Sequence, residues 1–89
     1  MLLEMGRSEI KVYTASWCTV WRALERQLGD VLCELTIVDV DVSPAEADRA
    51  QVAVVPTIVA KLPDGRVIIR YGAISADDMR SLIQSVRGE

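Results

Sequence analysis

Apolar and polar positions along this chain change their period several times, and each change marks an element. Residues 10–14 combine β-branched side chains with Tyr13 and predict a short strand. Over residues 17–28 the period becomes helical. Val20, Trp21, Leu24 and Leu28 recur at spacings of three and four, and Arg22, Glu25 and Arg26 face away from them. Gly29 follows the last of these apolar residues and suits a helix C-terminus. Residues 32–41, LCELTIVDVD, predict a second strand. Cys33 reads there as a small buried hydrophobe, and the alternation leaves the register open at Val38 and Asp39.

Ser43-Pro44-Ala45-Glu46 has the form of a helix start. Ser43 caps, Pro44 takes the first helical position and Glu46 completes a capping box. This helix is short and ends near Ala50 or Gln51. Residues 56–60 predict a third strand, Pro63-Asp64-Gly65 a turn, and residues 66–71 the returning strand of a hairpin. Ser75 caps a last helix whose later apolar face holds Leu82, Ile83 and Val86. The order is β-α-β-α-β-β-α. Helices join the first three strands, which favours parallel pairing through right-handed crossovers, and the last two strands form an antiparallel hairpin. The expected architecture is α/β, a mixed four-stranded sheet flanked by helices.

Composition narrows what such a domain can do. With 89 residues there is chain for one core, so residues 1–89 are expected to form a single domain, with residues 1–9 as an N-terminal extension. Phe is missing altogether, and Val, Ile, Leu and Ala carry the apolar weight, which again points to buried strands. A net charge of −3 without a basic face argues against nucleic acid as a partner. No stretch is long and apolar enough to span a membrane, and residues 1–9 hold acids where a signal peptide has an apolar run. The expected compartment is the cytoplasm. Two cysteines and no histidine exclude a Cys–His pair and make a poor zinc site, so no metal is expected. Met1, Met5 and Met79 are scattered and suggest no site. Asp39 and Asp41 alternate along one strand face and read as solvated acids at a strand end.

The segment Lys11-Val12-Tyr13-Thr14-Ala15-Ser16-Trp17-Cys18 resembles the first strand and active-site turn of glutaredoxins. Val38-Asp39-Val40-Asp41-Val42-Ser43-Pro44 is similar to the second strand and following helix start of thioredoxins. So are Val54-Val55-Pro56-Thr57, the turn Pro63-Asp64-Gly65, and Tyr71-Gly72-Ala73. These motifs stand in the right order and cover nearly all of the chain from Ile10 onward, and together they resemble a thioredoxin-like domain on a glutaredoxin-sized frame. The resemblance implies the thioredoxin fold, a cis bond before Pro56, and Cys18 as the attacking thiol. It implies that Val55 pairs through its backbone with an extended substrate, that Trp17 walls that groove, and that Gly72 allows a close backbone approach.

The chain departs from the family pattern at its centre. C-x-x-C becomes Cys18-Thr19-Val20-Trp21, and Trp21 cannot resolve a mixed disulfide. Cys33 lies beyond the far end of the first helix, roughly 15 Å or more from Cys18 at about 1.5 Å per residue. A disulfide needs Cα atoms within about 7 Å, so no Cys18–Cys33 bridge is expected. Val12 takes the place of the family's buried Asp, and Ile37 or a neighbour that of a Lys on the next strand. The glycine pair and acid with which glutaredoxins hold glutathione are missing after Tyr71. Asp77 and Asp78 read as acids in the first turn of the last helix.

Two functions fit these residues. In the first, Cys18 at a helix N-terminus, where the dipole favours thiolate and Arg22 adds a positive charge, exchanges with protein or low-molecular-weight disulfides. Glutathione or another small thiol then serves as co-substrate, and no cofactor is needed. In the second, the domain is redox-inactive and binds an extended peptide along Trp17, Val55 and Pro56, with Trp21 adding apolar contact. A third role for Trp21 is plain core packing, since it shares a face with Leu24 and Leu28. An exposed groove with Trp residues is compatible with a monomer or a weak dimer.

Overall fold

The first strand lies inside the sheet, with a partner on either side. In the computed structural model, which describes residues 8–88, β1 (Glu9–Thr14) pairs on one side with β2 (Thr36–Asp39) and on the other with β3 (Thr57–Lys61). β4 (Val67–Tyr71) completes the sheet, in the order β2-β1-β3-β4. The α-helices among the described residues are α1 (Thr19–Leu28), α2 (Pro44–Arg49) and α3 (Ala76–Arg87). Strand β1 begins at Glu9, one residue inside the expected N-terminal extension; residues 1–7 of that extension lie outside the described residues.

Register sorts the strand residues onto two faces. Val12 stands beside Ile37 and Ile58, and Ile10 beside Ala60. On this face α1 contributes Trp21, Leu24 and Leu28, and α3 contributes Met79, Leu82 and Ile83, to form the main core. Met79, which the sequence pattern passes over, is fully buried there. The opposite face carries Lys11, Tyr13, Val38 and Thr57, and α2 lies over part of it. Ala47 of α2 is buried, and Lys11 Nζ bonds Glu46 Oε2 at 3.2 Å.

Three local expectations are corrected. Strand β3 runs antiparallel to β1, where a parallel crossover was expected. Asp39, at the end of β2, sits beside Thr14, and Thr57, at the start of β3, sits beside Tyr13. Both ends of the connection therefore lie at one end of the sheet. A helix of six residues suffices, because the chain never returns along the strand length.

The second strand is also shorter than LCELTIVDVD. Residues Gly29–Glu34 form a 3-10 helix, with Gly29 at φ 59°, so Cys33 is exposed and outside the sheet. Its Sγ donates to the Asp30 carbonyl at 3.2 Å. At the other end the Asp39 carboxylate accepts from the amides of Asp41 (2.9 Å) and Val42 (3.3 Å), which bends the chain out of the strand.

Third, Ser43 makes no side-chain cap bond, and Glu46 pairs with Lys11 in place of closing a capping box. Ser75 does cap α3, accepting from the Asp78 amide at 3.0 Å.

Candidate functional site

Strand β1 ends at the buried Thr14, and after the buried Ala15 the chain turns sharply into α1. The Cys18 amide closes that turn on the Ala15 carbonyl at 3.0 Å, and the Cys18 carbonyl accepts from the Arg22 amide at 3.1 Å as the helix begins. Cys18 is thus the N-cap residue of α1, and its side chain makes no capping bond. The residue is only 4% exposed and belongs to the main core cluster. Its neighbour Trp17 is 62% exposed. The indole does not hang free: Nε1 donates to Asp41 Oδ2 at 2.8 Å. Asp41, read from the sequence as a solvated acid, therefore holds the tryptophan in place.

The loop before β3 is pinned from both sides. The Val55–Pro56 peptide bond is cis. The Pro56 carbonyl accepts from the Gly72 amide at 2.8 Å, and the Thr57 hydroxyl donates to the Val54 carbonyl at 2.6 Å. Gly72 has φ 74°, a conformation that favours glycine, while a Cβ there would meet nothing within 4 Å. Within this chain its use is the turn itself, and no close approach of backbone requires it. Between Trp17 and this loop lies an open apolar groove of about 400 Å³, lined also by Val40, Ala47 and residues 52–54.

The predicted site residues divide accordingly. Trp17 and Val55 meet in the groove, and Pro56 is buried immediately behind Val55. Trp21 does not take part in it. The indole is 3% exposed and packs with Leu24 and Leu28. What little surface it has lines a separate cleft of about 340 Å³, with Thr14, Ser16, Arg22, Glu25, Ile37 and Asp39 among the walls. The Thr14 hydroxyl is buried without a hydrogen-bond partner among the described residues. The Arg22 guanidinium donates to the Ser16 carbonyl at 3.2 Å, so its hydrogen bond steadies the turn and does not go to the thiol. Both cysteines are free. Among the described residues no group of three or more His, Cys, Asp or Glu is placed to hold a metal ion, and no helix is long and apolar enough to cross a membrane.

Sequence reasoning missed Asp41 as the partner of Trp17, and most of the groove lining. A signal was present in Val52-Ala53-Val54-Val55, an apolar run inside a connecting segment, where polar residues are the norm.

No family model and no curated protein matches the chain. Solved structures do. A thioredoxin variant from Halobacterium salinarum superposes with a TM-score of 0.74 at 27% identity, covering 90% of this chain and 74% of that one. Chloroplastic thioredoxin z gives a TM-score of 0.70 at 19% identity, with coverage of 97% and 83%. The chain belongs to the thioredoxin-like superfamily. Mitochondrial thioredoxin 3 of Saccharomyces cerevisiae, at 23% identity and a TM-score of 0.68, shares the fold over 85% of this chain and 76% of its own. In this thioredoxin-like domain Cys18 stands at the junction of β1 and α1, and Pro56 at the start of β3.

Proposed function

We propose that this domain carries out thiol–disulfide exchange through a single cysteine, Cys18, on disulfides held in extended form along the groove between Trp17 and Val55. The observation that carries this reading is the position of Cys18. It opens the ten-residue helix α1 with a thiol not spent on capping, one residue from the groove wall Trp17. Arg22, one turn along, holds the turn before Cys18 through its bond to the Ser16 carbonyl.

The step is a simple exchange. The Cys18 thiolate attacks one sulfur of a substrate disulfide and forms a mixed disulfide, and the other substrate sulfur leaves as thiolate. With Trp21 three residues on, the second thiol comes from outside. A low-molecular-weight thiol such as glutathione attacks the mixed disulfide on the substrate sulfur, returns Cys18 as thiolate and carries the substrate away as its own mixed disulfide. The Val55 backbone pairs with the substrate strand, and Trp17, steadied by Asp41, covers its side chains. Such a cycle suits a reducing compartment such as the cytoplasm, where small thiols are abundant.

One observation favours a second reading. Cys18 is almost fully buried and Trp21 is packed beneath α1, so the groove can bind an extended peptide without any exchange. Oxidised glutathione separates the two. The folded Cys33→Ser chain should gain one glutathione by intact mass, at Cys18, and lose it to excess thiol. If the folded chain stays unmodified while the unfolded chain reacts, the exchange reading is wrong and the groove is a peptide-binding site.

A further inference from the structure

Strand β4 forms one side of the sheet, and among the described residues no strand pairs with its outer edge. In an antiparallel ladder, residues that exchange hydrogen bonds alternate with residues whose N–H and C=O point outward. Two bonds set the phase of this hairpin: the Leu62 amide to the Arg66 carbonyl and the Gly72 amide to the Pro56 carbonyl, both 2.8 Å. In the register Lys61↔Val67, Val59↔Ile69 and Thr57↔Tyr71, Ile68 and Arg70 therefore bond to β3. Val67, Ile69 and Tyr71 turn their backbone groups away from the sheet. The same three residues place their side chains on the face opposite α1 and α3, where they are 52%, 43% and 65% exposed. The strand contains no Pro or Lys to discourage pairing. Its only guard among the described residues is the Arg70 guanidinium, which donates to the Ile69 carbonyl at 3.2 Å.

We propose that a second copy of this chain pairs with this edge, β4 against β4, antiparallel about a two-fold axis at Ile69. In that register Ile69 faces the partner's Ile69 and Val67 faces the partner's Tyr71. Every outward-facing backbone group then meets another outward-facing group, which a shift by one residue would forbid. The exposed side chains join into one apolar stripe across the axis. Charge agrees with the same register. Arg70, the one charged residue of the strand, falls opposite the partner's Ile68, so the two arginines do not stand directly opposite each other. It also reaches the cleft between the partner's β4 and α3, where Asp78 lies within reach of both arginines, since Arg70, Asp78, Ser81 and Ser85 line that cleft in each copy. The contact is small. A strand of five residues per copy compares with about 20–30 residues a side in a standard stable interface, so the dimer is weak and forms with rising concentration.

Sedimentation velocity on the full chain from about 10 µM to about 1 mM tests this, a range that spans dissociation constants expected for so small a contact. The mass should rise with concentration from 9.8 kDa towards twice that value and stop there. Ile69→Lys and Ile69→Glu should each remain monomeric, because like charges meet on the axis, and an equimolar mixture of the two should dimerise again. Hydrogen exchange on the unaltered chain gives a second readout, free of any folding defect in the variants. The amides of Val67, Ile69 and Tyr71 should gain protection as concentration rises, while those of Ile68 and Arg70 are protected throughout. A chain that stays at 9.8 kDa at all concentrations overturns the proposal and leaves the edge to some other strand. So does self-association that leaves the three outward amides unprotected, or a Lys–Glu mixture that fails to recover it.

Discussion

Trp21 shows how much one side chain decides here. It fills volume near the start of α1 in the core cluster that also holds Leu24, Leu28 and the strand residues Val12 and Ile58. Replacing a buried indole by a methyl group removes transfer energy and leaves a cavity, at a cost of about 3–5 kcal/mol. Trp21→Ala should therefore lower stability by about that amount in chemical denaturation, and Trp21→Phe by clearly less. Equal, small effects from both would mean that the ring is not the packing element described. The helical spacing with Leu24 and Leu28 already made core packing legible in the sequence. The role of Asp41 was not legible, because its partner Trp17 is 24 residues away and no local pattern joins them. The exposure of Cys33 was hidden for a different reason: a short, mostly apolar run such as Val31-Leu32-Cys33-Glu34-Leu35 reads alike as strand or as a tight helical turn.

At the scale of elements, the number and order of strands and helices followed from periodicity and turn chemistry, and the direction of β3 did not. Direction depends on where a connection delivers the chain, which is a property of the sheet as a whole. The two predicted helix starts differ in the same way. Ser75 and Ser43 look alike in sequence, yet Ser75, with an extended ψ of 158°, accepts the Asp78 amide through Oγ, and Ser43, at ψ 63°, makes no such bond. Ser75→Ala should cost about 1 kcal/mol, within the usual range for a lost N-cap. Ser43→Ala should change stability by less than about 0.5 kcal/mol. Thermal or urea unfolding of the two variants checks this, and a reversed order would contradict the capping assignment. The groove depends on these short elements: α2 supplies Ala47, and the turn after β2 supplies Val40 and, through Asp41, the orientation of Trp17.

Across the whole molecule, one ion pair ties the 3-10 helix to the end of α3. Arg87 donates to both carboxylate oxygens of Glu34, at 2.8 Å from Nε to Oε1 and also from Nη2 to Oε2. The hydrogen bond from Arg87 is the chief cause that holds the Glu34 carboxyl below its ordinary value of 4.5, with desolvation partly opposing it. A group whose pKa is lowered by folding adds stability above its unfolded value, and that stability is lost as pH falls through the lower folded value. Acid unfolding of the chain should therefore include a Glu34 component below roughly pH 4.5, in the range where free Glu titrates. Glu34→Gln should flatten the pH dependence of stability there, and an unchanged slope would show that the pair adds nothing to the fold. The pair is exposed, so its effect should shrink with added salt.

The central claim is that Cys18 alone performs the exchange, and turnover tests it most directly. Reduction of a protein disulfide by excess glutathione should be accelerated by the unaltered chain and equally by Cys33→Ser. Cys18→Ser should fall to the uncatalysed rate. A Cys18→Ser chain that keeps the acceleration, or an unaltered chain that gives none, would contradict the account.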